Sequence, residues 1–380
     1  MLSTAFTIGA VNKRFGKSRY LFRLTIAGSA AIFLAACSSS SKPTSTNGTS
    51  SSTTPTGSAV ACASGSISGA GSTFVQNIAQ EWIKNFGAKC SGANINYQGI
   101  GSGAGVQQLT AGTVDFGATD VPLTDAQTAA LESKGSVVQI PWAAGAIALE
   151  YNLPGVTNLQ LSPATIAGIF AGKIKTWDAP GIRADNPGVK LPSTTISTVH
   201  RSDSSGTTGA FTAYLAAAAP QAWTLGSGKT INWPSGSGAK GSDGVTATVK
   251  QSDGAIGYAE VSFAEGAQLP MAKIKNGAGS YVSPSDGSAV SAAISAAGSP
   301  SAQGVVTPAY ASTMPGVYPI STVTYVVVFK SQSNQSKAQL LRNFLLYAVG
   351  PGQSSASSLY YAPLPVGLVT FDKAAVQSIA

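Results

Sequence analysis

The 380-residue sequence has one histidine and three cysteines, and only 10% of it is charged. Each shortage removes a class of chemistry. With His200 as the single imidazole, neither a multi-histidine metal site nor a histidine-pair catalyst can be built, and a lone His ahead of an Arg reads as a packing or solvent residue. The formal charge of +8 overstates how basic the folded part is, because Lys13, Arg14, Lys17, Arg19 and Arg23 lie near the N-terminus, where acidic residues are missing. The remainder carries about +3 with no basic run, which argues against nucleic-acid binding. Nucleotide loops fare no better. Gly228-Lys229-Thr230 looks like the end of a phosphate loop, but the leading glycine that loop requires falls on Trp223. Gly99, Gly101 and Ala104 satisfy a loose dinucleotide pattern that is weak by itself. No cofactor and no metal are expected.

What the chain does have begins with an export signal. The basic N-terminus is followed by a short apolar stretch from Leu24 that ends Leu34-Ala35-Ala36-Cys37. That ending resembles the bacterial lipoprotein signal, with residues 1–36 removed and Cys37 carrying the lipid; an ordinary signal peptide is the alternative. The apolar run is too short for a comfortable membrane span. From Ser38 to Val60 the chain is mostly Ser and Thr with almost no large apolar residue, so residues 37–65 read as a tether reaching roughly 25 Å. Only Cys62 and Cys90 then remain, one pair with one connectivity, and an exported chain favours a disulfide over two free thiols.

Three Gly-flanked stretches precede apolar helical patterns: Gly71 to Phe74, Gly101 to Gly103, and Arg201 to Thr207. The first turn of a helix has unpartnered N–H groups and partial positive charge, so three such turns aimed at one point would hold a small oxyanion. Val75, Ile78, Ala79, Trp82, Ile83 and Phe86 predict a helix behind Ser72-Thr73 as caps. Strands are expected at Ile95–Tyr97, Val114–Ala118, Ile196–Val199, Ala255–Tyr258 and Thr322–Phe329, and helices follow from Ser102, Pro163, Ser205 and near Leu341. The alternation indicates an α/β class, and Asp120 falls at a strand's C-terminal end, where ligands bind in open α/β sheets.

At this level of detail the chain resembles the extracytoplasmic phosphate-binding proteins of ABC phosphate importers, a periplasmic binding protein class. Seven ordered blocks carry the resemblance: Gly69–Phe74, Asn96–Gly105, Val114–Leu123, Gly168–Asp178, His200–Phe211, Gly238–Gly244 and Gly254–Glu260. It implies a two-lobed fold with a ligand cleft, lobe I being residues 66–143 with 318–380 and lobe II residues 144–317. It further implies that Thr73, Phe74, Ser102, Asp120, Arg201, Ser205, Gly206 and Thr207 bind inorganic phosphate, and that Asp203 holds Arg201. No catalytic residue follows from it. The implied partner is the ABC permease in the membrane, with the protein acting as a monomer. Gly103-Ala104 stands where a Ser-Gly pair is common, which alters a second hydroxyl donor. The rival reading is an exported phosphatase, which would need a nucleophile and a base or metal that the sequence does not show.

Overall fold

The computed structural model describes residues 60–380; the expected signal segment, lipidated Cys37 and the tether as far as residue 59 lie outside the described residues. Cys62 and Cys90 are bonded, with Cα atoms 5.3 Å apart. The bridge joins the chain just before the first strand to the end of the first helix. Closing that loop stabilises the fold by roughly 3 to 4 kcal/mol in the chain-entropy account.

The first stretch runs β1 (Gly65–Gly71), α1 (Gln76–Lys89), β2 (Ala93–Gly99), α2 (Ser102–Ala111), β3 (Phe116–Thr119), α3 (Asp125–Glu132) and β4 (Val137–Asn152). The middle contributes β5 (Gln160–Leu161), α4 (Pro163–Phe170), α5 (Pro180–Asp185), β6 (Ser197–Arg201), α6 (Gly206–Ala218), β7 (Ser237–Ala239), α7 (Gly241–Gln251) and β8 (Ala255–Glu260). The rest is α8 (Val261–Ala267), β9 (Lys273–Lys275), β10 (Tyr281–Val282), α9 (Gly287–Ala296), β11 (Ser321–Phe329), α10 (Gln335–Ala348) and α11 (Val366–Gln377). Among the described residues, no helix is long and apolar enough to cross a membrane.

Eight strands form one sheet in the order β2-β1-β3-β11-β4-β8-β6-β7. Its outer strands are parallel and its centre is antiparallel. The centre is β4, which pairs with β11 from Val137 to Ala146 and with β8 from Ile147 to Asn152. One strand thus serves both lobes. It escaped the sequence reading because it is buried on both faces, so its run of Val, Ile, Ala and Leu shows no alternation. The register slips at Trp142, the extra residue between Pro141, which faces Tyr325, and Ala143, which faces Thr324; a proline without an N–H is tolerated beside such a bulge.

Each lobe closes around aromatic rings. In the first, Trp82, Tyr97 and Phe116 ring Trp142 at centroid distances of 5.5 to 6.1 Å. In the second, Phe211 stacks on Tyr258 at 4.6 Å and Phe170 meets Phe211 edge-on at 5.0 Å. Each buried ring removes about 150–250 Å² from water, worth about 4–6 kcal/mol before ordering entropy is subtracted. The α1 helix follows its expected face, burying Ile78, Ala79, Trp82 and Phe86. Its start does not: Val75 is the N-cap residue, and neither Ser72 nor Thr73 caps the helix with its side chain.

Among the described residues, Glu150, Glu260 and Asp372 are carboxyl groups buried with no cation paired to them. Glu150 on β4 has only the Thr246 hydroxyl, at 2.9 and 3.0 Å from its two oxygens. Glu260, which caps α8 through the Ser262 N–H, leaves Oε1 unpartnered, and both oxygens of Asp372 are unpartnered. Burial pushes each of the three up to about 8. Unfolded, they return to about 4, so between about pH 4 and 8 the folded chain holds protons that the unfolded chain releases, and stability falls as pH rises through that window. Carboxylates held low, such as Asp286, act in the opposite sense only below about pH 4. The melting temperature of anion-free protein should therefore fall between pH 5 and 8.5, and Asp372→Asn should flatten the slope. Calorimetry showing a rise over that range would overturn this assignment.

Candidate anion-binding site

The three expected helix starts do meet, at the C-terminal ends of β1, β2, β3 and β6. After β1, Ser72 Oγ accepts the Phe74 N–H at 2.9 Å, forming a tight turn, and Phe74 carries its ring into the core against Tyr361. The Thr73 hydroxyl is drawn away from α1. It lies 2.9 Å from Ser242 Oγ and accepts the Ser242 N–H at 3.1 Å, so Thr73 meets the start of α7 in the other lobe.

The starts of α2 and α6 face each other across the cleft. Gly101, with φ +95°, turns the chain from β2 into α2. Ser102 Oγ accepts the Gly206 N–H at 3.0 Å, and the Gly103 N–H donates to the Ser204 carbonyl at 2.9 Å. Ser205 caps α6, its hydroxyl accepting the Thr208 N–H at 3.1 Å. Position 206 must be glycine for reasons of space. A Cβ there would lie 2.6 Å from the Asp120 amide nitrogen and collide with Ser102 Oγ.

Charge is concentrated at two places. Arg201 ends β6 with its side chain 1% exposed; Nε donates to Asp203 Oδ1 at 2.7 Å and Nη2 to Oδ2 at 2.5 Å. Asp203 also accepts the Gly241 N–H at 3.2 Å. Although burial pushes the other way, the paired guanidinium holds the Asp203 carboxyl below its usual range. Asp120 follows β3 directly and is 2% exposed. Its Oδ1 accepts the Thr324 hydroxyl at 2.8 Å and its Oδ2 the Thr207 hydroxyl at 3.0 Å, one from each lobe. Burial raises the Asp120 pKa, and the hydroxyls of Ser72, Thr324 and Thr207 together with Arg201 oppose the rise. The arrangement gathers hydroxyl and amide donors, one paired guanidinium and one acceptor carboxylate into one cluster.

Every residue singled out from the sequence as an anion contact lies in this cluster, although the Phe74 amide is engaged by Ser72. His200 lies outside it, stacked on Trp233 at 5.1 Å in a packing role. The structure adds groups that the sequence reading missed. Gly241 and Ser242, at the start of α7, obey the same Gly-flanked rule and could have been found by it. Thr324 sits in a strand of β-branched residues, where nothing local distinguishes it. Lys229, dismissed with the failed phosphate loop, donates from Nζ to Gln127 Oε1 at 3.2 Å across the cleft. Burial pushes its ammonium down to about 8 against the favourable pull of Asp120.

Comparison with known proteins identifies the family and the fold. The profile of the PBP superfamily domain matches residues 56–351. The phosphate-binding protein PstS of Xylella fastidiosa strain Temecula1 is 36% identical over 309 residues, covering 80% of this chain and 82% of that protein. PstS2 of Mycobacterium bovis is 35% identical over 376 residues, 97% of this chain and 100% of that one. Among solved structures, a high affinity periplasmic phosphate-binding protein (PfluDING) bound with phosphate superposes with a TM-score of 0.68 at 25% identity, over 82% of this chain and 93% of that one. Similarity along most of its length to these relatives, together with the family profile and the two-lobed fold, places the chain in the PstS phosphate-binding family of the PBP superfamily.

Proposed function

We propose that this chain captures inorganic phosphate outside the cytoplasm and delivers it to an ABC permease, with no reaction catalysed. The observation that carries this reading is Asp120, a buried carboxylate set among anion donors. Beside an anion a carboxylate is repulsive unless the anion brings a proton, and phosphate near neutral pH brings one while sulfate does not. Selectivity then comes from a built-in repulsion of the wrong anion.

In this mechanism Thr73, Phe74, Ser102, Arg201, Ser205, Gly206 and Thr207 contribute donors, Asp203 fixes the guanidinium, and Asp120 accepts the phosphate proton. The Ser102–Gly206 and Thr207–Asp120 contacts join groups of opposite lobes, so an arriving anion exchanges them for its own oxygens as the lobes hinge. Residues 66–143 with 318–380 form one lobe and 144–317 the other. The partner change along β4 at Ala146 and Ile147 lies close to that boundary and suits a hinge. A signal over residues 1–36, lipid on Cys37 and the Ser/Thr tether would hold a monomer at the outer face of the membrane. The family's ligand and the export signal support this placement.

Two measurements test the proposal. By titration calorimetry, wild-type protein should bind phosphate and reject sulfate, and Asp120→Asn should raise sulfate affinity by about tenfold or more with a smaller change for phosphate. Since the Asp120 pKa is raised, acidification should protonate the carboxyl and let wild type bind sulfate, whereas the Asn variant stays flat with pH. Equal affinity of wild type for both anions at neutral pH would refute the role of Asp120. The phosphatase alternative predicts turnover of a chromogenic phosphoester with added divalent metal; none is expected.

A further inference from the structure

The cleft has a charge problem that Arg201 does not solve. Its guanidinium is already paired through Nε and Nη2 with Asp203. Asp120 adds a second carboxylate, and a phosphate would add one or two further negative charges. In a cleft shielded from water, that excess is costly unless another cation stands near. Lys240 and Asp243, which flank the start of α7, are exposed, so solvent and salt screen them.

Lys229 is placed differently. It is half-buried, and its carbonyl accepts the Ser205 N–H at 2.9 Å, which ties the lysine to the start of α6. Its Nζ reaches out of that lobe to Gln127 Oε1 at 3.2 Å. Gln127 is itself held, because Oε1 also accepts the Thr124 N–H at 3.1 Å within the capping box of α3. Asp120 is the carboxylate whose charge acts on this ammonium. The Lys229–Gln127 contact therefore spans the lobes outside the ring of anion donors.

We propose that Lys229 is a positioning residue for anion capture: its ammonium latches the second lobe onto Gln127 and supplies the positive charge that Arg201 has already given to Asp203. This rests on the phosphate reading and adds to it a residue that need not touch the anion. The contact exists only with the lobes together, so the latch acts on release more than on arrival.

The test is phosphate binding and stopped-flow release by the wild-type protein, K229M and K229R. K229M should weaken phosphate binding by about tenfold or more, mostly through faster release, and K229R should recover most of it. The anion-free melting temperature of K229M should stay within about 2 °C of wild type. Wild type that binds phosphate beside a K229M variant unchanged in affinity and release overturns the latch and leaves the transport reading intact. A loss that Arg does not rescue, with an equal fall in anion-free stability, also overturns it by marking a packing role. Wild type that binds no phosphate overturns the proposed function itself.

Discussion

A carboxylate with 2% exposure cannot remain charged unless its surroundings replace the water it has lost, and Asp120 imposes that condition on both lobes. Its replacement solvent comes from far apart in the chain: the Thr207 hydroxyl from the first turn of α6 and the Thr324 hydroxyl from β11. The close approach of α6 depends in turn on Gly206 having no Cβ, since any side chain there would strike the Asp120 backbone. One buried acceptor thus constrains a glycine, two threonines and the relative position of two helices.

The sheet makes such convergence possible. Because β4 pairs with β11 along one part of its length and with β8 along the other, the two lobes share a single strand, and the C-terminal ends of their parallel strands face a common cleft. Helix starts that follow those strands deliver their free N–H groups to the same place. The Arg201–Asp203 pair serves the same end. It brings a donor fork into the cleft without a bare charge, and Asp203 at the same time fixes the start of α7 through the Gly241 N–H.

Much of this was legible in advance where the signal is local. The Gly-flanked starts at Ser102 and Ser205, the strand ahead of Asp120 and the apolar face of α1 all rest on short-range backbone and periodicity rules, and they stand in the structure. Ser72 and Thr73 look like caps to a rule that considers only the adjoining helix, whereas the Thr73 hydroxyl is taken by Ser242, 169 residues away. The long strand β4 was missed for a related reason: burial on both faces erases the alternation by which strands are recognised.

The sequence alone therefore determined the kinds of donor and acceptor the site contains, the α/β class and the single cysteine pairing, since each follows from residue type, spacing or count. Which of those groups touch one another was decided only by the tertiary structure. Contacts such as Ser102 with Gly206, Thr324 with Asp120 and Lys229 with Gln127 join residues separated by roughly a hundred positions or more. Such pairings arise from packing two lobes on one shared strand, and loop-closure entropy leaves no trace of them in any local stretch of sequence.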